Sequence, residues 1–277
     1  MLTNKFKINY SIGSVANGIK TDTFTFFLLF FYSNIIGLKP ALAGLAIFIA
    51  LCVDAITDPL MGTISDRTKS SLGRRHPYML ISFIPMSLGY VFLFAPRHDW
   101  DMSQNDLFIW MTIFTVLTRI GMTLFDIPHR ALGGEVTKNY KERTLLMSWR
   151  EMVGWVAGLS NAFLGYGIFF ASTPEYPQGQ LNPDAWFPFA VTGAIFMILS
   201  VLYSSLSTKD EIKSLSKWSG SISLIDILKE IKIAVGNKSF LIFFFGNLFL
   251  SLAWGLANTL TLFVNTYFWE FEATQIK

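Results

Sequence analysis

Seven stretches of this chain are apolar for long enough to cross a hydrocarbon core, which takes about 20 helical residues. They cover residues 11–36, 41–65, 77–95, 106–132, 145–171, 186–206 and 240–269. Gly37 and Pro40 close the first, and polar loops separate the rest. The pattern predicts helices that are apolar around most of their circumference, as membrane spans are. Between the sixth and seventh lies a different segment, rich in Lys and Ser. Within it Leu224, Ile225, Leu228, Ile231 and Ile233 form an approximate helical stripe opposite Lys229, Glu230 and Lys232. That spacing predicts an amphipathic helix lying along the membrane surface on the cytoplasmic side.

The polar residues that interrupt the apolar runs matter most. Residues 45–76 begin as a span, carry Asp54 and Asp58 one helical turn apart, and leave through Asp66, Arg67, Lys69, Arg74 and Arg75. A carboxylate at membrane depth is expensive, about 2.5–3.5 kcal/mol even on insertion scales, so such groups face a protein interior or a watery path. Two on one helix face call for a cation. Asp126 on the fourth span is a third acid, with Thr123 one turn before it and Pro128 freeing a backbone carbonyl beside it. Hard oxygen ligands of this kind suit sodium, and a proton serves equally. Asp54, Asp58, Thr123 and Asp126 are therefore the candidate cation ligands, with the three acids as the metal-binding set; pairing with internal Arg or Lys is the competing reading. Arg119, two turns before Asp126, is read as an internal ion-pair partner or as reaching outward. Lys20 can pair with Asp22 or Asp54.

Charge placement sets the topology. Sixteen Lys and Arg fall in the amino terminus and the second, fourth and sixth loops, against Lys39 and Arg97 in the alternate loops. The positive-inside rule then puts the amino terminus in the cytoplasm and residues 173–184 outside. The composition, 52% hydrophobic and 15% charged with 27 Phe, agrees with a multi-pass inner-membrane protein surrounded by lipid. Nothing in it points to nucleic acid. The single Cys52 excludes an intrachain disulfide. His76, His98 and His129 lack metal-ligand spacing, and His129 is expected at the interface. No phosphate-binding glycine loop or nucleophile elbow occurs, so an enzyme or ATP-driven pump is not expected, nor is a cofactor other than a coupling Na+ or H+.

Two blocks carry a family resemblance, DAITDPLMGTISDRTKSSLGRRHPYML (54–80) and DIPHRALGGEVTKNYKERTLLMSWR (126–150). Together they resemble the glycoside-pentoside-hexuronide:cation symporter family (melibiose permease-like) of the major facilitator superfamily. The resemblance extends over essentially the whole chain. It implies an all-α integral membrane protein with the major facilitator fold, carrying a cation with a sugar or glycoside by alternating access. It places the coupling cation at Asp54, Asp58, Thr123 and Asp126. It also implies a substrate site drawn from Asn17, Gly18, Asp22, Asp126, Arg130 and Arg150. Here Gly18 stands where the family has a sugar-holding acid, and Arg130 where it has a tryptophan. Arg150 is expected near the sugar or as an interfacial residue. Asp66, Arg67, Arg74, Arg75 and Glu135 would form a cytoplasmic gate, with Glu135 meeting Arg67 or Arg74. The family folds as twelve helices, so the chain is expected to be truncated: a six-helix bundle (1–207), a cytoplasmic linker (208–238) and the first span of an incomplete second bundle (239–277). A separate carboxyl-terminal half would then be the missing partner. A nontransporting partner or sensor, or a symporter of lipid-like solutes, is the alternative.

Overall fold

The computed structural model describes residues 2–209, 233, 236–271 and 275. Six of its helices are long and apolar enough to cross a membrane: Pro40–Arg67, His76–Leu93, Gln104–Glu135, Tyr140–Phe169, Pro183–Ser207 and Lys238–Tyr267. They match the second to seventh expected spans, and the chain is a multi-pass membrane protein. The expected amphipathic helix of the linker falls outside the described residues, apart from Ile233.

The first span is helical but not continuous. Residues 4–35 run through Asn4–Ile12 and Ser14–Asp22, a π turn at Thr23–Phe27, a short α segment at Leu28–Phe30 and a second π turn at Phe31–Ile35. The physical reason lies in its side chains. Phe27, Leu28, Phe30, Phe31 and Tyr32 are all buried, five of six successive positions and more than one face of a regular 3.6-residue helix presents. Each π turn inserts a residue and rotates the following side chains onto the buried face. Around them Phe189 packs on Phe27, and Phe94 and Phe170 pack on Trp186, whose indole nitrogen donates to the Gln180 carbonyl at 3.2 Å. This aromatic cluster closes one end of the bundle.

Small residues bring the spans together elsewhere. Gly89 and Gly121 let the third and fourth spans cross so closely that a Cβ on Gly121 would lie 2.3 Å from the Met86 amide nitrogen. The first and fifth spans cross just as closely at Gly18 and Gly154. At the opposite end from the aromatic cluster, Gly13 separates the first two helical segments. The carbonyl of Tyr10, one turn before that break, accepts from His129 Nε2 at 3.0 Å and from the Ser204 hydroxyl at 3.2 Å. His129 is fully buried, stacked between Tyr10 and Phe125, which corrects the expectation of an interfacial histidine. The same carbonyl also accepts from the Gly13 amide at 3.2 Å, so it is shared between the helix end and the two side chains.

The seventh span meets the bundle mainly at the aromatic end. Phe263 packs edge-on against Phe30, the Tyr267 hydroxyl donates to Asn34 at 2.8 Å, and Gln180 donates to the Thr266 hydroxyl at 3.2 Å. Most of its other side chains are exposed. Asn247, Asn258 and Thr261 each donate to a carbonyl one turn back on their own helix.

Candidate functional site

Asp58 accepts a hydrogen bond from the Thr123 hydroxyl at 2.6 Å, joining the second and fourth spans. Asp54, one turn earlier, is held instead by the guanidinium of Arg119. Arg119 is thus an internal ion-pair partner, and it also lies over the ring of Phe24 on the first span. Asp126 receives two arginines, Arg150 from the fifth span and Arg130 one turn along its own helix at 2.6 Å. Among the described residues no three of His, Cys, Asp and Glu come together as metal ligands. The three-carboxylate set of Asp54, Asp58 and Asp126 is therefore not assembled in this conformation, because an arginine occupies two of its members. Lys20 pairs with neither Asp22 nor Asp54; its ammonium stands 6.0 Å from the centroid of Phe24.

Arg150 is 1% exposed and so is no interfacial snorkel. Its second amino group donates to Glu151 at 2.5 Å, and Glu151 is half-exposed. The side chains form a chain of alternating charge, Arg130 to Asp126 to Arg150 to Glu151. Glu151 in turn lines a cavity of about 750 Å³ between the first, fifth and seventh spans.

That cavity gathers Asn17, Gly18 and Asp22 from the predicted substrate set, but Asp126, Arg130 and Arg150 lie outside its lining. Gly18 has a packing role there, since a Cβ would sit 2.0 Å from the Gly154 carbonyl oxygen. An acid at that position would force the first and fifth spans apart, which explains the departure at Gly18 in steric terms. Asp22 keeps one carboxylate oxygen buried without a hydrogen-bond partner. Opposite it stand Trp155 and, from the seventh span, Trp254 and Asn258. Glu151, Trp155, Trp254 and Asn258 were not singled out from sequence. The four-residue spacing of Glu151 and Trp155 puts them on one helix face, which was the available signal.

The expected gate is built around Glu135, at the end of the fourth span. Its carboxylate accepts from Arg74 and, at 2.7 Å, from Arg75, while Arg75 also donates to Asp66 at 2.9 Å. Gly73, at φ +75°, makes the reversal that lets two consecutive arginines turn back onto one carboxylate. Arg67 ends the second span beside this cluster.

Residues 9–277 match the family model described as MFS/sugar transport protein. Among curated relatives, an uncharacterized symporter of Synechocystis is 33% identical over 74% of this chain and 37% of its own length. A putative glycoside/cation symporter of Escherichia coli is 28% identical over 86% of the chain and 49% of its own length. An isoprimeverose transporter of Lactiplantibacillus pentosus is 23% identical over 82% and 46% respectively. The chain spans about half or less of the length of these relatives.

Proposed function

The chain belongs to the glycoside-pentoside-hexuronide branch of the MFS/sugar transport proteins, a family of symporters rather than enzymes, and from that premise we propose that it carries a neutral sugar or glycoside together with a cation. The cavity between the first, fifth and seventh spans supports the substrate class. Its polar lining comprises the carboxylates of Asp22 and Glu151, the amides of Asn17 and Asn258 and the hydroxyls of Thr21, Thr25 and Ser251, with no basic side chain among the described residues, and its flat walls are Trp155 and Trp254. Carboxylates and amides accept hydrogen bonds from sugar hydroxyls, and indole faces cover the apolar C–H face of a pyranose ring. The arginines lie behind, each tied to a carboxylate, and among the described residues Asp22 has no cationic partner, so an anionic uronide would meet its uncompensated charge. This lining is the observation that carries the choice of a neutral substrate.

Coupling follows from the charge chain. Glu151 reaches the cavity, Arg150 links it to Asp126, and Thr123, one turn before Asp126 on the fourth span, holds Asp58 of the second. A cation that neutralises one of these acids releases an arginine or a hydroxyl and favours one arrangement of the helices around the cavity. Alternating access then comes from rocking of one bundle against another, with the Glu135 cluster holding one closed state. The proposed setting is the inner membrane, with the amino terminus and the Glu135 cluster on the cytoplasmic side. Sodium or a proton is the driving ion, and a carboxyl-terminal helical half completes the path.

Equilibrium binding of labelled glycosides, pentosides and uronides to the purified protein tests the substrate class. Neutral glycosides should bind, and Asp22→Asn should weaken them about tenfold, the loss of one or two charge-assisted hydrogen bonds. Tighter binding of uronides, or an Asp22→Asn variant that binds neutral glycosides as well as the unmodified protein does, would overturn it.

A further inference from the structure

We propose that Glu151 sets specificity for a second sugar ring, so that the cavity between the first, fifth and seventh spans takes a two-ring glycoside with one ring at Asp22 and the other at Glu151. The proposal rests on the glycoside reading above and narrows its substrate class. The spacing of the two acids follows from one helix crossing. A Cβ on Gly18 would fall 2.0 Å from the Gly154 carbonyl oxygen, and a Cβ on Gly158 would fall 3.3 Å from the Cβ of Asp22. The first and fifth spans therefore lie side by side, with Gly18 level with Gly154 and Asp22 level with Gly158. Glu151 precedes Gly158 by seven residues on the regular helix Tyr140–Leu164, which puts it about 10 Å from Asp22 along the cavity at about 1.5 Å per residue.

Both acids line the same cavity of about 750 Å³, a volume that suits a drug-sized ligand better than a lone monosaccharide. Gly18, Gly154 and Gly158 form the floor between them, so backbone rather than bulky side chains lies under a ligand stretched along the spans. Trp155, one turn after Glu151, stands between the two levels and offers an indole face to a ring. Each acid is a separate hydrogen-bonding station. Asp22 has the Thr21 and Thr25 hydroxyls on its own span, and Asn17 falls toward the level of Glu151. Glu151 gives one oxygen to Arg150, and its side chain is 55% exposed, so its other oxygen is open to a ligand hydroxyl. A single ring centred at either acid leaves the other carboxylate facing water. Two linked rings meet both. A lone ring is expected at Asp22, which is more enclosed than Glu151.

The test is equilibrium binding to the purified protein of methyl glucoside, methyl galactoside and methyl xyloside, and of disaccharides built from the same sugars, with thermal melting to confirm folding. At least one disaccharide should bind about tenfold tighter than its methyl monosaccharide, the gain expected from one further charge-assisted hydrogen bond. Glu151→Gln should remove most of that advantage and leave binding of the methyl monosaccharide unchanged, whereas Asp22→Asn should weaken both. Methyl monosaccharides that bind as tightly as every disaccharide overturn the proposal. So does a folded Glu151→Gln that keeps the disaccharide advantage, or one that weakens both classes alike, as a role exerted only through Arg150 would. Binding of none of these sugars would overturn the glycoside reading itself, and this proposal with it.

Discussion

Replacing Gly18 by Ala should destabilise the protein far more than the same change at Gly154, although the two glycines face each other across one helix crossing. The difference is geometric. A Cβ on Gly18 would lie 2.0 Å from the Gly154 carbonyl oxygen, where ordinary contact begins at 3.4 Å, whereas a Cβ on Gly154 would meet the Ser14 carbonyl oxygen at 3.5 Å. The first and fifth spans must therefore separate by roughly 1.5 Å to admit the first methyl group, in an interior that packs as densely as a crystal. Backbone stands on both sides, so no rotamer change relieves it. Overpacking of this kind costs about 1–3 kcal/mol and occasionally more. For a chain of this size that corresponds to a fall of about 2–12 °C in melting temperature. Gly154→Ala should stay within about 1 kcal/mol of the unmodified protein, because its methyl fills space and improves helix propensity. Thermal melting of the two variants in one detergent decides the matter. Equal melting temperatures for Gly18→Ala and the unmodified protein, or an equally large fall for Gly154→Ala, would refute the crossing geometry.

Three further outcomes follow from the ion pairs and the buried histidine. Glu135→Gln removes the carboxylate shared by Arg74 and Arg75, and should lower stability by about 1–3 kcal/mol. It should also change the thiol accessibility of cysteines placed at the two ends of the cavity; unchanged labelling would contradict a gating role. Arg119→Met strands Asp54, and the loss should fall toward the lower end of about 3–5 kcal/mol because the pair is only partly buried. Asp54→Asn in the same chain should recover most of that loss in a melting experiment. His129→Phe keeps the stack on Tyr10 but drops the hydrogen bond to its carbonyl, and should reduce stability by about 1 kcal/mol. Tyr10→Phe, which also keeps the stack but drops the 3.0 Å bond from the Tyr10 hydroxyl to the His129 carbonyl, should cost a similar amount in the same melting experiment.

Hydropathy made the second to seventh spans legible because twenty apolar residues in sequence have few other uses. The fourth span begins slightly earlier than its apolar run, at Gln104, where Ser103 and Asp106 form a capping box. The breaks in the first span were not legible. Residues 26–32 are an unbroken aromatic and aliphatic run, and only their simultaneous burial by several neighbours shows that the helix must widen. The site divides in the same way. Asp58 with Thr123 and Glu135 with Arg74 rest on a motif and on charge, and Asp126 with Arg130 rests on an i,i+4 spacing that sequence displays. Arg119 with Asp54, and Arg150 with Asp126, depend on how far one span is rotated against another, which no spacing within a span encodes. Treating the acids as a cation cage was reasonable chemistry for carboxylates in lipid. The arginines that meet two of them come from other turns and other helices.

Accumulation of a labelled neutral glycoside by vesicles carrying the protein is the most direct test of coupled transport. Under an imposed cation gradient the account predicts uptake above the external concentration, collapse when an ionophore dissipates the gradient, and loss of accumulation in Asp126→Asn. Uptake that only equilibrates, or that persists unchanged with the ionophore present, would contradict it.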